Sequence, residues 1–407
     1  MDLQITPRKL TGSVTPPPSK SMAHRLIIAA ALGSGISTVE NIALSQDISA
    51  TLRCIEALGA GWEEVAPNTL RIHGFGGRAW EGDLPHFDCG ESGSTLRFFI
   101  PIALAVAGGG IFTGRGRLMQ RPQQPYFDLF AEKGISCVQE GNTLVVRGRL
   151  MPGEFRLAGN VSSQFFTGLL FALPLLAGDS TLSSTTALES RSYVDMTLQA
   201  LETFDIRAEA QDTTFRIPGG QLYAPRITAA EADWSQAAFW YAANFLDNPV
   251  EIRGMNAYST QGDMIVARYY WQLARPDTDV EIDLSNCPDL LPPLAVMAAV
   301  RSGTTRFTNA ARLRMKESDR LTAVCRMLGA LGGRAEEGAD HLTVHGVPDL
   351  RGGTVDSCGD HRIVMAAAIA ATACTEPVTI PGAEAVAKSY PDFFEIYRSL
   401  GGAFCVI

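Results

Sequence analysis

Apolar residues gather into six long runs, and each run has similar neighbours. The first opens at Ser21 (SMAHRLIIAAALGSG) and leads into a strand-like segment from Ile36 to Ala43. An amphipathic run from Asp47 to Ala60 follows, then two short strands ending at Gly74. The apolar run returns as STLRFFIPIALAVAG from Ser94, SSQFFTGLLFALPLLAG from Ser162, DWSQAAFWYAANFLD from Asp233, DLLPPLAVMAAVRSG from Asp289 and DHRIVMAAAIAATAC from Asp360. The amphipathic run and its closing hairpin recur too, and the last copy is truncated as FFEIYRSLGGAFCVI. A period of about 70 residues with a fixed internal order is an internal repeat, here a β-α-β-α-β-β unit used six times. The first helix of each unit is apolar on nearly every side and is expected to be buried, whereas the second should face water.

Six such units in 407 residues exceed one core, because a single core stops growing near roughly 250–300 residues. Two domains of three units each are therefore expected. The turn Thr15-Pro16-Pro17-Pro18 and the segment 219–230, which contains Tyr223-Ala224-Pro225-Arg226, are natural crossing points. They predict a middle domain over residues 15–226 and a second domain of residues 1–14 plus 227–407, completed by the N-terminal strand.

Composition removes several function classes. A hydrophobic fraction of 46% with 19% charged residues describes a folded chain. The formal net charge of −9, with no Lys/Arg block, argues against a general nucleic-acid binder. The eight cysteines are scattered, with no CxxC and no His pair at ligand spacing, so neither a disulfide framework nor a structural metal is expected. The first twenty residues are polar and Pro-rich rather than a signal peptide. The longest apolar run, Phe98 to Phe112, is broken by Pro101 and three glycines, short of the roughly 20 residues a membrane helix needs. A cytoplasmic protein without membrane contact is the expectation.

Candidate chemistry concentrates where helices begin. The stretch Arg312-Leu313-Arg314-Met315-Lys316-Glu317-Ser318-Asp319-Arg320 puts four cations and two carboxylates into nine residues ahead of an apolar helical pattern. A helix starting near Ser318 would place Arg320 in its first turn, where free N–H groups already favour anions. Only five residues are lysines (Lys9, Lys20, Lys133, Lys316, Lys388), and three of these fall in turns that suit a ligand. Lys20-Ser21 with His24-Arg25, Glu91-Ser92-Gly93-Ser94 with Arg97, Ser162-Ser163-Gln164, Asp289, and Asp360-His361-Arg362 open five of the repeat helices. Ser or Asp at any one of these places is an ordinary N-cap. Repetition changes this reading: pseudo-symmetry would gather the N-termini at one end of each domain, and two such ends facing each other would enclose an anion-seeking cleft. Arg121-Pro122, Ser190-Arg191-Ser192-Tyr193 and Ala387-Lys388-Ser389-Tyr390 add loop groups before second helices. No GxxxxGK[ST] loop or GxSxG elbow occurs, and Gly74-Phe75-Gly76-Gly77 lacks the dinucleotide spacing. Asp360 and His361 have no identifiable serine partner for a hydrolytic triad.

Pro18-Ser19-Lys20-Ser21 with Arg25, Cys89-Gly90-Glu91-Ser92-Gly93-Ser94 with Arg97, Arg121-Pro122, Val161-Ser162-Ser163-Gln164-Phe165, the 314–320 motif, Asp360-His361-Arg362, and Lys388 with Pro391-Asp392 resemble, nearly end to end, the 3-phosphoshikimate 1-carboxyvinyltransferase (EPSP synthase) family. The resemblance implies two inside-out α/β domains, each of three β-α-β-α-β-β repeats, with an active-site cleft between them. It implies transfer of the enolpyruvyl group of phosphoenolpyruvate to the 5-hydroxyl of shikimate 3-phosphate, in chorismate and aromatic amino-acid biosynthesis, with no metal or other cofactor. By the same resemblance, Lys20, Ser21 and Arg25 bind the shikimate part, and Ser162, Ser163, Ser190 and Lys316 take its phosphate. Gln164 touches both ligands. Gly93, Arg121, Arg320, Arg362 and Lys388 form the phosphoenolpyruvate site, with Lys20 shared. Asp289 is the base on the 5-hydroxyl and Glu317 the acid toward the methylene carbon, in a chain expected to be monomeric.

Three positions depart from the family pattern: Glu91 and Arg312 where Asn is usual, and Phe98 where Pro is common. Gly93 is kept, which implies sensitivity to glyphosate. The sister transferase acting on UDP-N-acetylglucosamine is the alternative, but it typically carries Lys-Asn at the first motif and a loop cysteine; here Lys20-Ser21 stands, and no cysteine lies between Gly114 and Arg121. A non-catalytic repeat scaffold, the third reading, would not need Asp289 and Glu317.

Overall fold

Serine and aspartate caps start most of the helices that the pattern predicts, in a computed structural model that describes residues 1–76 and 80–407. Gly77, the last residue of the Gly74 to Gly77 run, lies outside the described residues. In chain order the helices are α1 (Lys20–Leu32), α2 (Gln46–Ala57), α3 (Gly93–Ala107), α4 (Gln124–Glu132), α5 (Gln164–Ala172), α6 (Arg191–Thr203), α7 (Trp234–Phe245), α8 (Val266–Leu273), α9 (Leu291–Val300), α10 (Arg320–Ala330), α11 (His361–Ala370) and α12 (Phe393–Ser399). The odd-numbered helices are the six apolar runs and the even-numbered ones the amphipathic runs. Every residue of α11 is buried, and in α9 only Val300 is not. The even helices bury one face, as Val194, Met196, Thr197, Ala200 and Leu201 do in α6.

The chain divides into two compact units: Pro18–Glu231, here the inserted unit, and Met1–Pro17 with Ala232–Ile407, here the terminal unit. Each has its own apolar core. The inserted unit carries three four-stranded sheets. In the second of them His86–Asp88 runs parallel to Gly109–Thr113, which pairs antiparallel with Thr143–Arg147, itself antiparallel to Ser136–Glu140. Parallel neighbours need a crossover, and the odd helix supplies it; antiparallel neighbours close by a tight hairpin.

The first repeat shows why the boundary runs later than the sequence pattern placed it. Ile227–Ala229, assigned by that pattern to the other domain, pairs in parallel with Ile36–Glu40 and supplies the first strand of this repeat, because the strands ahead of α1 pair within the terminal unit. In the terminal unit the N-terminal strand Leu3–Thr6 lies between Val378–Ile380 and Ala403–Val406, antiparallel to both, and completes the truncated sixth repeat. The fourth repeat is abbreviated: Val250–Ile252 and Gly12–Val14 form a two-stranded parallel sheet. Helices α7, α9 and α11 pack pairwise against one another, and the Arg362 side chain of α11 bonds to Ser235 in the first turn of α7 and to Asp289 just ahead of α9. Among the described residues, no helix is long and apolar enough to cross a membrane.

Candidate active site

In the terminal unit the charged stretch forms a short 3-10 helix, Ala311–Met315, and then gives way to α10. Asp319 caps α10, accepting from the Thr322 amide, so Arg320 is the first residue of the helix. Its guanidinium is 1% exposed and donates to three carboxylates: Nε to Asp360 Oδ2 at 2.8 Å, Nη1 to Asp289 Oδ1 at 2.6 Å, and Nη2 to Glu317 Oε2 at 2.7 Å. Asp360 also caps α11 by accepting from the Arg362 amide, and takes a hydrogen bond from Ser318 Oγ at 2.9 Å. The Arg362 side chain donates through Nη2 to Asp289 Oδ2 at 3.1 Å and to Ser235 Oγ at 2.9 Å. Lys316 Nζ lies 3.3 Å from Asp289 Oδ1. Asp289, the Lys316, Glu317 and Arg320 of one stretch, and Arg362 thus meet in one cluster at the starts of α9, α10 and α11. Lys388 ends a 3-10 turn and donates to the carbonyl of Gly359, next to Asp360, at 2.8 Å.

The charges within this cluster fix one another. Burial works to raise the Asp289 pKa, but Arg362, Lys316 and Arg320 together hold it well below the usual carboxylate range. Burial likewise opposes ionisation of Asp360, yet Arg320 keeps it below its ordinary value. Burial pulls the Lys316 ammonium down to about 8, against the attraction of Asp289. Arg320 is pushed the other way: burial would lower it, but Asp360, Glu317 and Asp289 raise it.

In the inserted unit α1 starts at Lys20, capped by Ser19. Lys20 Nζ is 2.6 Å from Asp47 Oδ2, in the first turn of α2. Arg25, 2% exposed, donates to neutral oxygens: Thr197 Oγ1 at 2.9 Å, Thr167 Oγ1 at 3.3 Å, the Ser21 carbonyl at 2.6 Å and the Tyr193 carbonyl at 2.7 Å. Burial, with no carboxylate opposite, pulls its pKa down to about 9. Arg121 is 8% exposed, and among the described residues its side chain makes no hydrogen bond or ion pair. Its guanidinium lies over Gly93, where a Cβ would fall 2.6 Å from Nη1 and 2.8 Å from Cζ. Gln164 ties α5 to α3, accepting from Arg97 Nη1 at 2.7 Å and donating to Ser94 Oγ at 2.9 Å, while Arg97 Nη2 reaches the Pro122 carbonyl at 2.8 Å. Ser162 Oγ accepts from the Gln164 amide at 3.3 Å, and Ser163 stands at the N-cap position of α5. Ser190 precedes α6 with φ 54° and ψ 42°, buried. A non-glycine residue in that region is held by its surroundings at a cost, a usual mark of a working turn. The Glu189 amide donates to Gly159, which puts this turn beside the one that opens α5.

Sequence reasoning missed several residues here. Asp47 had a signal, an acid in the first turn of an amphipathic helix, but it reads there as a complement to the helix dipole. Thr167 and Thr197, whose hydroxyls are 2.8 Å apart beside Arg25, gave none, because each sits inside a helical pattern. The three departures also find places. The Glu91 carboxylate lies against Gly116, so that a Cβ on Gly116 would fall 2.7 Å from Oε2. Phe98 is fully buried, with the Arg25 guanidinium 5.4 Å from its ring centroid. Arg312 is buried and donates to the Ser285 carbonyl.

Comparison with known proteins identifies the family. The family model for EPSP synthase (3-phosphoshikimate 1-carboxyvinyltransferase) matches residues 5–397. The 3-phosphoshikimate 1-carboxyvinyltransferase of Clostridium kluyveri is 43% identical over 417 residues, covering 98% of this chain and 97% of the relative. That of Clostridioides difficile is 41% identical, covering 98% and 97%. In fold, the chain is similar to EPSP synthase from Acinetobacter baumannii, with a TM-score of 0.81 at 22% identity and full coverage of both chains. It is also similar to the enolpyruvyl transferase NikO from Streptomyces tendae, with a TM-score of 0.77 at 18% identity, covering 99% of this chain and 98% of that one. This chain belongs to the EPSP synthase family of enolpyruvyl transferases.

Proposed function

We propose that the chain transfers the enolpyruvyl group of phosphoenolpyruvate to the 5-hydroxyl of shikimate 3-phosphate, releasing inorganic phosphate. The observation that carries the reading is the Asp289, Glu317, Lys316, Arg320 and Arg362 cluster. Two substrates bearing phosphates and carboxylates repel each other, so cations must be fixed in advance, and the transfer itself needs a proton acceptor and a donor. The two compact units are the two ligand-holding domains of this reading. Lys20, Ser21 and Arg25 hold the shikimate part; Ser162, Ser163, Ser190 and Lys316 its phosphate; Gln164 both ligands. Gly93, Arg121, Arg320, Arg362, Lys388 and Lys20 hold phosphoenolpyruvate.

The product keeps the C=C bond of the enolpyruvyl group, so the balanced route is addition followed by elimination. Asp289 takes the 5-hydroxyl proton as the oxygen bonds to C2, while Glu317 delivers a proton to the methylene carbon. The methyl group so formed then returns a proton to the Glu317 carboxylate as the C2–O bond to phosphate breaks and inorganic phosphate leaves with the bonding pair. Asp289 is a poor base while Arg362, Lys316 and Arg320 hold its pKa down. These are the groups assigned to ligand anions, so substrate binding draws them off and raises its basicity. The reading also makes the chain a cytoplasmic monomer.

Purified protein mixed with both substrates should release inorganic phosphate, and UDP-N-acetylglucosamine in place of the shikimate ester should release none. Glu317→Gln should slow turnover at least about a hundredfold, the scale of a general acid; an unchanged rate removes Glu317 from the proton transfer.

A further inference from the structure

The first turn of α7 carries no lysine or arginine, and the resemblance assigns it no role. Yet it is tied to both α11 and the Lys388 turn. Ser235, 4% exposed, donates its hydroxyl to Asp233 Oδ1 at 2.6 Å and accepts from Arg362 Nη2 at 2.9 Å. Asp233 is the N-cap of α7 and also takes the Ser235 and Gln236 amides, so its carboxylate is fixed by the backbone of the turn it starts. With the Ser235 proton committed to Asp233, the lone pairs of its oxygen face the guanidinium, and the carboxylate strengthens them as acceptors. One residue on, Gln236 Nε2 donates to Ser389 Oγ at 3.1 Å, beside Lys388, with both residues buried.

We infer that Ser235 is a positioning residue for the phosphoenolpyruvate site, fixing the Arg362 fork through the Asp233–Ser235–Arg362 chain, with Gln236 bracing the Lys388 turn from the same helix start. The geometry explains why one contact would not suffice. Arg362 Nη2 also donates to Asp289 Oδ2, and Asp289 leaves that contact when it turns to the 5-hydroxyl. Ser235 stays, so the guanidinium keeps its place at the step when the transferring group must be held.

This rests on the assignment of Arg362 to phosphoenolpyruvate, and that assignment is tested first and separately. Arg362→Lys should raise the KM for phosphoenolpyruvate; an unchanged KM overturns the assignment and the inference with it. Given that result, Ser235→Ala should raise the same KM about tenfold, the scale of one hydrogen bond to a charged group. Its KM for shikimate 3-phosphate should hold, its kcat should move less than about threefold by the same accounting, and Ser235→Thr should restore the KM. In the Arg362→Lys background Ser235→Ala should have no further effect on that KM. A Ser235→Ala enzyme with unchanged KM, equal losses for both substrates, or a full additional loss in the Arg362→Lys background would overturn the role. Thermal unfolding of each variant separates a folding defect from these outcomes.

Discussion

In the terminal unit, Arg320, Arg362 and Lys316 share Asp289, and Arg320 also engages Glu317 and Asp360, so its cations are matched by carboxylates inside the same unit. In the inserted unit, Arg25 and Arg121 are comparably buried but face no carboxylate: Arg25 donates to hydroxyls and carbonyls, and Arg121 lies over Gly93 without a side-chain partner among the described residues. One set of cations is neutralised within the folded structure; the other is buried without a carboxylate partner among the described residues. Isolated buried charge is expensive, and charge that loses its partner more so. The same substitution, arginine to alanine, should therefore have opposite consequences for stability in the two units.

Arg320→Ala should produce the largest change. It leaves Asp289, Glu317 and Asp360 clustered with less compensation and should destabilise the protein by about 3–5 kcal/mol while abolishing turnover. Arg121→Ala removes a cation that nothing in the chain neutralises. Its melting temperature should stay level or rise, while kcat/KM for phosphoenolpyruvate falls about a hundredfold to a thousandfold, the scale of losing a buried charge-stabilising donor. Calorimetry beside steady-state kinetics decides the matter. Equal destabilisation by the two variants would erase the contrast.

A pH titration sharpens the comparison at smaller amplitude. Burial sets Lys316 at about 8, and only its protonated form attracts phosphate. The KM for shikimate 3-phosphate should be level below that pH and climb above it, approaching tenfold per pH unit as the ammonium is lost. Lys316→Arg keeps its charge throughout and should flatten that limb. A limb that survives in Lys316→Arg would assign the titration to another group.

The repeat order was legible because it is written in periodicity: apolar runs mark the odd helices and amphipathic ones the even helices. The strand exchange at the ends was harder to place. Ile227–Ala229 is three residues long with alternate positions exposed, too short a pattern to show which sheet it joins, since pairing of distant strands is a tertiary property. The charged members of the cluster were legible as unusual residues at helix starts. Several neutral partners were not. Ser235, Thr167 and Thr197 act by where their hydroxyls point, and a hydroxyl in a helical pattern carries no sign of its partner.

The smallest change tests the Gly93–Arg121 contact in the inserted unit. A Cβ on Gly93 would fall 2.6 Å from Arg121 Nη1 and 2.8 Å from Cζ, closer than real contacts allow, so Gly93→Ala must displace the guanidinium. Because the obstacle is the end of a flexible side chain rather than backbone, the fold should tolerate the change, and the cost should appear where Arg121 acts. The KM for phosphoenolpyruvate should rise, within about tenfold, since the cation is moved and not removed. Glyphosate, if it shares that anion site as the retained Gly93 implies, should weaken in parallel. In an Arg121→Ala background the clash is gone, and Gly93→Ala should add little to the KM. Should it cost as much there as in the native chain, the glycine acts through something other than Arg121.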